Sequence, residues 1–203
     1  NFNYIKKNLK LNRWIFIGIF LMLIIYFASS FFRIMVYKYA LNKSALIRFP
    51  DASDFFKNLI IGGILGSITA VFEEIGWRGF LQSKLSFGSE IKKYFVIGIL
   101  WAVFHFPQIF RGVVYKGHLV QGIIVHTCML ICFGILLCYV LKKSSSLICT
   151  SIMHGLFNAL IYTSAASVIL NGSQVIEGSI WVVLFFITVV IFKCKNSSVH
   201  TEF

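Results

Sequence analysis

Residues 57 to 80 read KNLIIGGILGSITAVFEEIGWRGF. From Asn58 to Phe72 the run carries no charge, and then Glu73, Glu74 and Arg78 arrive together. A helix of ~20 apolar residues is what ~30 Å of hydrocarbon requires. Ionisable groups at that depth are costly, so they face a protein interior or a wet cavity and mark a site. The stretch therefore reads as a membrane helix, Lys57 to Trp77, with chemistry toward its far end.

Composition extends this reading to the whole chain. Of 203 residues, 58% are hydrophobic and 13% are charged, about half the charged fraction of a soluble domain. Mean hydropathy is +0.84. Five further apolar runs can be drawn around the first: Trp14 to Phe32, Tyr94 to Phe110, Leu119 to Leu141, Leu147 to Leu170 and Ser179 to Phe192. The expected fold class is all-α, a polytopic transmembrane helix bundle of about six spans. The chain starts at Asn1 rather than Met, so six is a lower bound. Three regions are expected: residues 1–56, a tail, first span and interfacial segment; residues 57–170, the core carrying the chemistry; and residues 171–203, the last span and a basic tail. Pro107 is expected to kink or end the third span, because proline removes a helix hydrogen bond. The segment Arg33 to Lys57, rich in charge and aromatics, reads as an interfacial helix followed by a turn at Pro50.

The formal charge is +12. In a soluble protein this would point to nucleic acid, but here the basic residues gather in short connections and tails, where they orient a membrane chain and meet anionic lipid. The partner they imply is the lipid bilayer, and nucleic-acid binding is set aside. The bias favours an inner amino terminus: Lys6, Lys7, Lys10, Arg13, Lys84, Lys92, Lys93, Lys142, Lys143, Lys193 and Lys195 fall inside. Arg33, Lys38, Lys43, Arg48, Lys57, Arg111 and Lys116 fall outside. The expected location is the cell membrane, multi-pass. The cysteines, Cys128, Cys132, Cys138, Cys149 and Cys194, form no CxxC pair and read as small buried hydrophobes.

Three pairs of residues four apart share helix faces: Glu74 with Arg78, Trp101 with His105, and His154 with Asn158. Adjacent helical carboxylates point about 100° apart, so Glu73 and Glu74 divide their roles. Glu74 is placed to pair with Arg78, leaving Glu73 free as a general base. An imidazole can hold a metal or polarise a water, and a carboxamide can donate to a developing oxyanion. Each piece alone has a plainer reading, as a helix-end salt bridge, a packed histidine or interhelical polar glue. Together, one carboxylate and two histidines on separate spans describe a site. His118, His126 and His200 read as solvated or packed, and Gly62, Gly63 and Gly66 as a surface for close helix packing.

The ordered motifs EEIGWR at Glu73 to Arg78, WxxxH at Trp101 to His105 and HxxxN at His154 to Asn158 resemble those of the CAAX protease and bacteriocin-processing (Abi) family of intramembrane endopeptidases. The one departure is Trp101, where the family usually has Phe. The resemblance implies hydrolysis of a peptide bond in a peptide or membrane-protein substrate. Glu73 would act as base toward a water held by His105 and His154, Asn158 would steady the oxyanion, and Glu74 with Arg78 would fix their helix. The family has been described both as glutamic and as metalloproteases. Zinc is thus a candidate cofactor, with Glu73, His105 and His154 as its ligands, although HExxH is absent. Bacterial members are linked to bacteriocin maturation, self-immunity and peptide signalling. A non-enzymatic immunity or scaffold protein of the same fold is the alternative.

Overall fold

The computed structural model describes residues 6–42, 51–165 and 173–198. Lys43, Arg48, Pro50 and His200 lie outside the described residues, as does the side chain of Cys194. Among the described residues there is no strand, and six long helices make up the bundle. They are α1 (Trp14–Ala40), α2 (Ala52–Lys84), α3 (Glu90–Phe110), α4 (Leu119–Ser144), α5 (Leu147–Ala165) and α6 (Ser173–Ser198). Five are long and apolar enough to cross a membrane; in α5 the apolar run Leu147–Ile161 is shorter.

Water supplies no force for association inside a bilayer, so helices meet through packing, small residues and polar contacts. All three are visible here. Helix α4 is the centre, with Phe133, Leu136, Leu137 and Cys138 wholly buried. The Phe133 ring lies 4.6 Å from Phe157 of α5 and 4.7 Å from Phe185 of α6, centroid to centroid, joining three helices in one aromatic cluster. Helix α2 lies at the edge. Its residues Ile60, Ile64, Ile68 and Phe72, one helical turn apart, are exposed as a lipid-facing stripe, while Gly63 and Ala70 are buried on the other side. On that inner side Gly66 meets Gly155 of α5: a methyl added at Gly66 would stand 2.9 Å from the Gly155 carbonyl oxygen. Only two glycines let the backbones come so close.

Polar contacts tie the ends. The α5 N-terminus is capped by Ser146, whose Oγ accepts from the Cys149 N–H at 3.1 Å. The Leu147 N–H donates to the Asn8 carbonyl at 2.8 Å, and Asn12 Nδ2 donates to the Ser144 carbonyl at 2.8 Å. At the other end Arg33 of α1 and Glu177 of α6, both buried, form an ion pair at 3.5 Å.

The structure corrects four expectations. Arg33 to Ala40 is helical and continuous with α1, its last five residues in wider π-type turns, and Arg33 leaves the tally of outer-loop charges because it pairs with Glu177 inside the bundle. Pro107 does not break α3, which ends at Phe110; proline sits in the last turn, where its carbonyl accepts from the Arg111 N–H at 3.1 Å. Cys128 is exposed, whereas Cys138 and Cys149 are buried. His126, read as solvated or packed, has buried ring nitrogens and meets the His105 ring of α3 at 5.5 Å.

Candidate active site

A cavity of ≈ 210 Å³ runs between the helices, lined by Glu73 of α2, Trp101 and His105 of α3, His126 of α4, and His154 and Asn158 of α5. Gln108 and Tyr115, near the α3–α4 connection, and Gln174 and Glu177, at the start of α6, complete its polar lining. The cavity thus extends to the end of the bundle where α3 joins α4.

Glu73 and Glu74 diverge as adjacent helical positions must. Glu74 turns inward and is fully buried, and its Oε1 accepts from Arg78 Nη1 at 2.9 Å and meets His154 Nδ1 at 3.0 Å. Immediately after Glu74 the helix widens into a π stretch, Ile75–Leu81, which contains Arg78. Such bulges are frequent at functional sites. Glu73 turns toward the cavity and its Oε2 accepts from the Trp101 indole N–H at 2.8 Å.

Both histidines that were picked from sequence have Nδ1 committed. His105 Nδ1 lies 2.9 Å from the Trp101 carbonyl one turn back, and His154 Nδ1 lies against Glu74. A proton on Nδ1, donated to an oxygen, leaves the lone pair on Nε2. The same geometry orients the rings, as it does for metal-binding histidines. Trp101 stands between all these groups. Its ring lies 5.0 Å from His154 and 5.8 Å from His105, and the Arg78 guanidinium sits over its face at 4.3 Å. Guanidinium over indole is an attractive, largely desolvated contact.

Among the described residues no group of three or more His, Cys, Asp and Glu side chains is gathered closely enough to hold a metal ion. The proposed set Glu73, His105 and His154 does line one cavity, but the Glu73 carboxylate is drawn to the indole and does not converge with the imidazoles as zinc would need. These side chains, as arranged, do not form a zinc site.

Sequence reasoning missed several lining groups. His126 stands 5.5 Å from the His105 ring and 5.7 Å from the Tyr115 ring, with both ring nitrogens buried and without a protein partner. Glu177 escaped notice because it sits in a short polar stretch before a span, and Gln174 likewise. The Gln174 side-chain oxygen accepts from the Tyr115 backbone N–H. Tyr115 is buried in the α3–α4 connection, and that burial pushes its phenol above the ordinary range. The only signal in the sequence was that Tyr115, Gln174 and Glu177 are polar residues flanking apolar runs and that His126 is a polar residue inside one.

Comparison with known proteins bears on the same residues. Residues 55–160, just over half of the chain, match the family model described as Rce1-like, type II CAAX prenyl endopeptidase Rce1-like. The CAAX prenyl protease 2 of Methanococcus maripaludis is 33% identical over 100 residues, covering 45% of this chain and 36% of that protein. The chain therefore spans about a third of the length of this curated relative. No solved structure matches.

Proposed function

The chain belongs to the Rce1-like family of type II CAAX prenyl endopeptidases, and from that premise we propose that it is an intramembrane endopeptidase of the glutamic type, hydrolysing a peptide bond of a peptide or membrane-protein substrate. The observation that carries this reading is the single cavity shared by Glu73, His105, His154 and Asn158, which come from three helices. A general base, two oriented imidazoles and a carboxamide donor are the parts that amide hydrolysis needs.

In the proposed reaction a cavity water lies between Glu73 and the Nε2 atoms of the histidines. Glu73 takes a proton from it as its oxygen attacks the scissile carbonyl carbon. The carbonyl oxygen gains the charge, and Asn158 Nδ2, a hydrogen-bond donor, stabilises it; one such donor is worth about 10²–10³ in rate. The tetrahedral intermediate collapses by breaking the C–N bond, and the proton held by Glu73 goes to the leaving amine. Glu74, bound to Arg78 and His154, touches no substrate in this scheme and holds α2 against α5. The wall of Gln108, His126, Gln174 and Glu177 offers partners to substrate amides, which a bilayer would otherwise leave unsatisfied. Release of a membrane-borne peptide in this way fits bacteriocin maturation, self-immunity or peptide signalling.

The test uses the purified protein in proteoliposomes with two probes, an S-farnesylated peptide ending in a CAAX sequence and a panel of unmodified hydrophobic peptides, with products read by mass spectrometry. Cleavage of either probe that disappears in Glu73→Gln at equal abundance supports the reading. Binding of peptides without any cleavage would favour a non-enzymatic immunity or scaffold protein instead.

A further inference from the structure

We propose that Trp101 is a positioning residue for the general base, and that its indole N–H, rather than its bulk, is what the site uses. The inference rests on the protease reading above. A phenylalanine at this position would fill much of the same space but could donate nothing, so the indole N–H is a device of this chain.

The Trp101 side chain is almost wholly buried, so its N–H must find an acceptor or lose its hydration unrewarded. The acceptor it has is Glu73 Oε2, at 2.8 Å, 28 residues away in the sequence and on another helix. Hydrogen bonds to an ionised acceptor are short and about twice as strong as neutral ones. One carboxylate oxygen is thereby anchored, and the other is left to meet the water. An unanchored glutamate has three rotatable bonds and samples many directions. General-base transfer, by contrast, needs ~2.6–3.2 Å contact along a fixed line.

The same residue also orients the partners of the base. Its carbonyl holds His105 Nδ1 at 2.9 Å, its ring edge meets His154, and its face carries Arg78, the cation that holds Glu74. Of these contacts only the bond to Glu73 depends on the indole nitrogen as a donor. A change confined to that atom therefore separates positioning of the base from packing.

The experiment replaces Trp101 with phenylalanine and, by amber suppression, with 3-benzothienylalanine, which keeps the bicyclic shape and has sulfur in place of N–H. Cleavage of the S-farnesylated CAAX peptide or of the unmodified peptide panel is followed in proteoliposomes. The expected result is a fall in kcat of about 10–100-fold with KM unchanged in both variants, the scale of one hydrogen bond to a charged group. Normal kcat in the benzothienyl variant, whose packing is intact, would overturn the proposal. A second readout is independent of turnover. The indole N–H signals of Trp14, Trp77, Trp101 and Trp181 are resolved by ¹⁵N-labelled NMR in micelles, and the Trp101 signal is identified by its loss in Trp101→Phe. That signal should shift upfield in Glu73→Ala, and an unmoved signal would refute the contact. If the shift appears but the native protein cleaves neither probe, the protease reading has failed and the positioning role falls with it, while the contact itself stands.

Discussion

Gly155→Ala tests the helix crossing that assembles the site. A methyl built on Gly155 would stand 2.1 Å from the Ser67 backbone nitrogen and 2.5 Å from the Gly66 carbonyl carbon, with ordinary van der Waals contact beginning near 3.4 Å. The obstacle is main chain, so no rotamer change relieves it, and α2 and α5 must separate by about 1.3 Å. Overpacking of this kind costs about 1–3 kcal/mol. The functional cost is larger, because Gly155 follows His154 directly and Ser67 lies on the helix that carries Glu73 and Glu74. The 3.0 Å contact between Glu74 and His154 would open by about 1.3 Å, past hydrogen-bond range, and a displacement of about 1 Å costs on the order of 10²-fold in rate. Gly76→Ala, on α2, is the matched control, since a methyl there meets nothing within 4 Å. Thermal unfolding in detergent, followed by a thiol-reactive dye at the buried cysteines, and peptide cleavage in proteoliposomes are measured side by side. Gly155→Ala should melt earlier and cleave about 100-fold more slowly, and Gly76→Ala should match the parent. Parent-like stability and rate in Gly155→Ala would refute both the crossing and the coupling of Glu74 to His154.

Glu73→Gln should remove cleavage by about 10²–10⁴-fold or more while leaving membrane insertion and yield unchanged, as judged by quantitative immunoblot of membranes. Arg78→Ala leaves Glu74 buried without its cation, a loss of about 3–5 kcal/mol by the experience of soluble proteins. Folded yield by size-exclusion chromatography should fall and should recover in part on adding Glu74→Gln, whereas activity should not recover, because Glu74 also holds His154. Arg33→Met should lower yield by removing the cation that faces Glu177, and Arg33→Met with Glu177→Gln should restore it in part, provided the buried pair at 3.5 Å joins α1 to α6 as described. Cleavage should survive 1,10-phenanthroline, since the carboxylate and imidazoles do not converge as a metal site; loss of activity that zinc restores would show that they rearrange around an ion.

The legible part of this protein is the part governed by short range. Solvent choice follows from composition, because a chain this apolar cannot satisfy water. Helix positions follow from runs of about twenty uncharged residues, since only helices satisfy their own backbone in lipid. The pairing of Glu74 with Arg78 and the divergence of Glu73 from Glu74 are helix geometry, which repeats every 3.6 residues whatever surrounds it. The choice of Glu73, His105, His154 and Asn158 as lining residues came from the same rule joined to the cost of burying polar groups. None of this reasoning needs to know which helices touch. Where tertiary packing decided, sequence reasoning went astray or stayed silent. Arg33 looked like an outer-loop charge because its partner, Glu177, lies at the far end of the chain. Trp101 was legible as the helix-face partner of His105, but its bond to Glu73 was not, because that acceptor sits on another helix. His126 looked solitary because nothing near it in sequence is polar enough to explain it, while across the interface it meets His105. In a bilayer no hydrophobic gradient tells one apolar helix face from another, so the pairing of faces is set by shape. Here two glycines, Gly66 and Gly155, let α2 and α5 approach until Glu74 reaches His154.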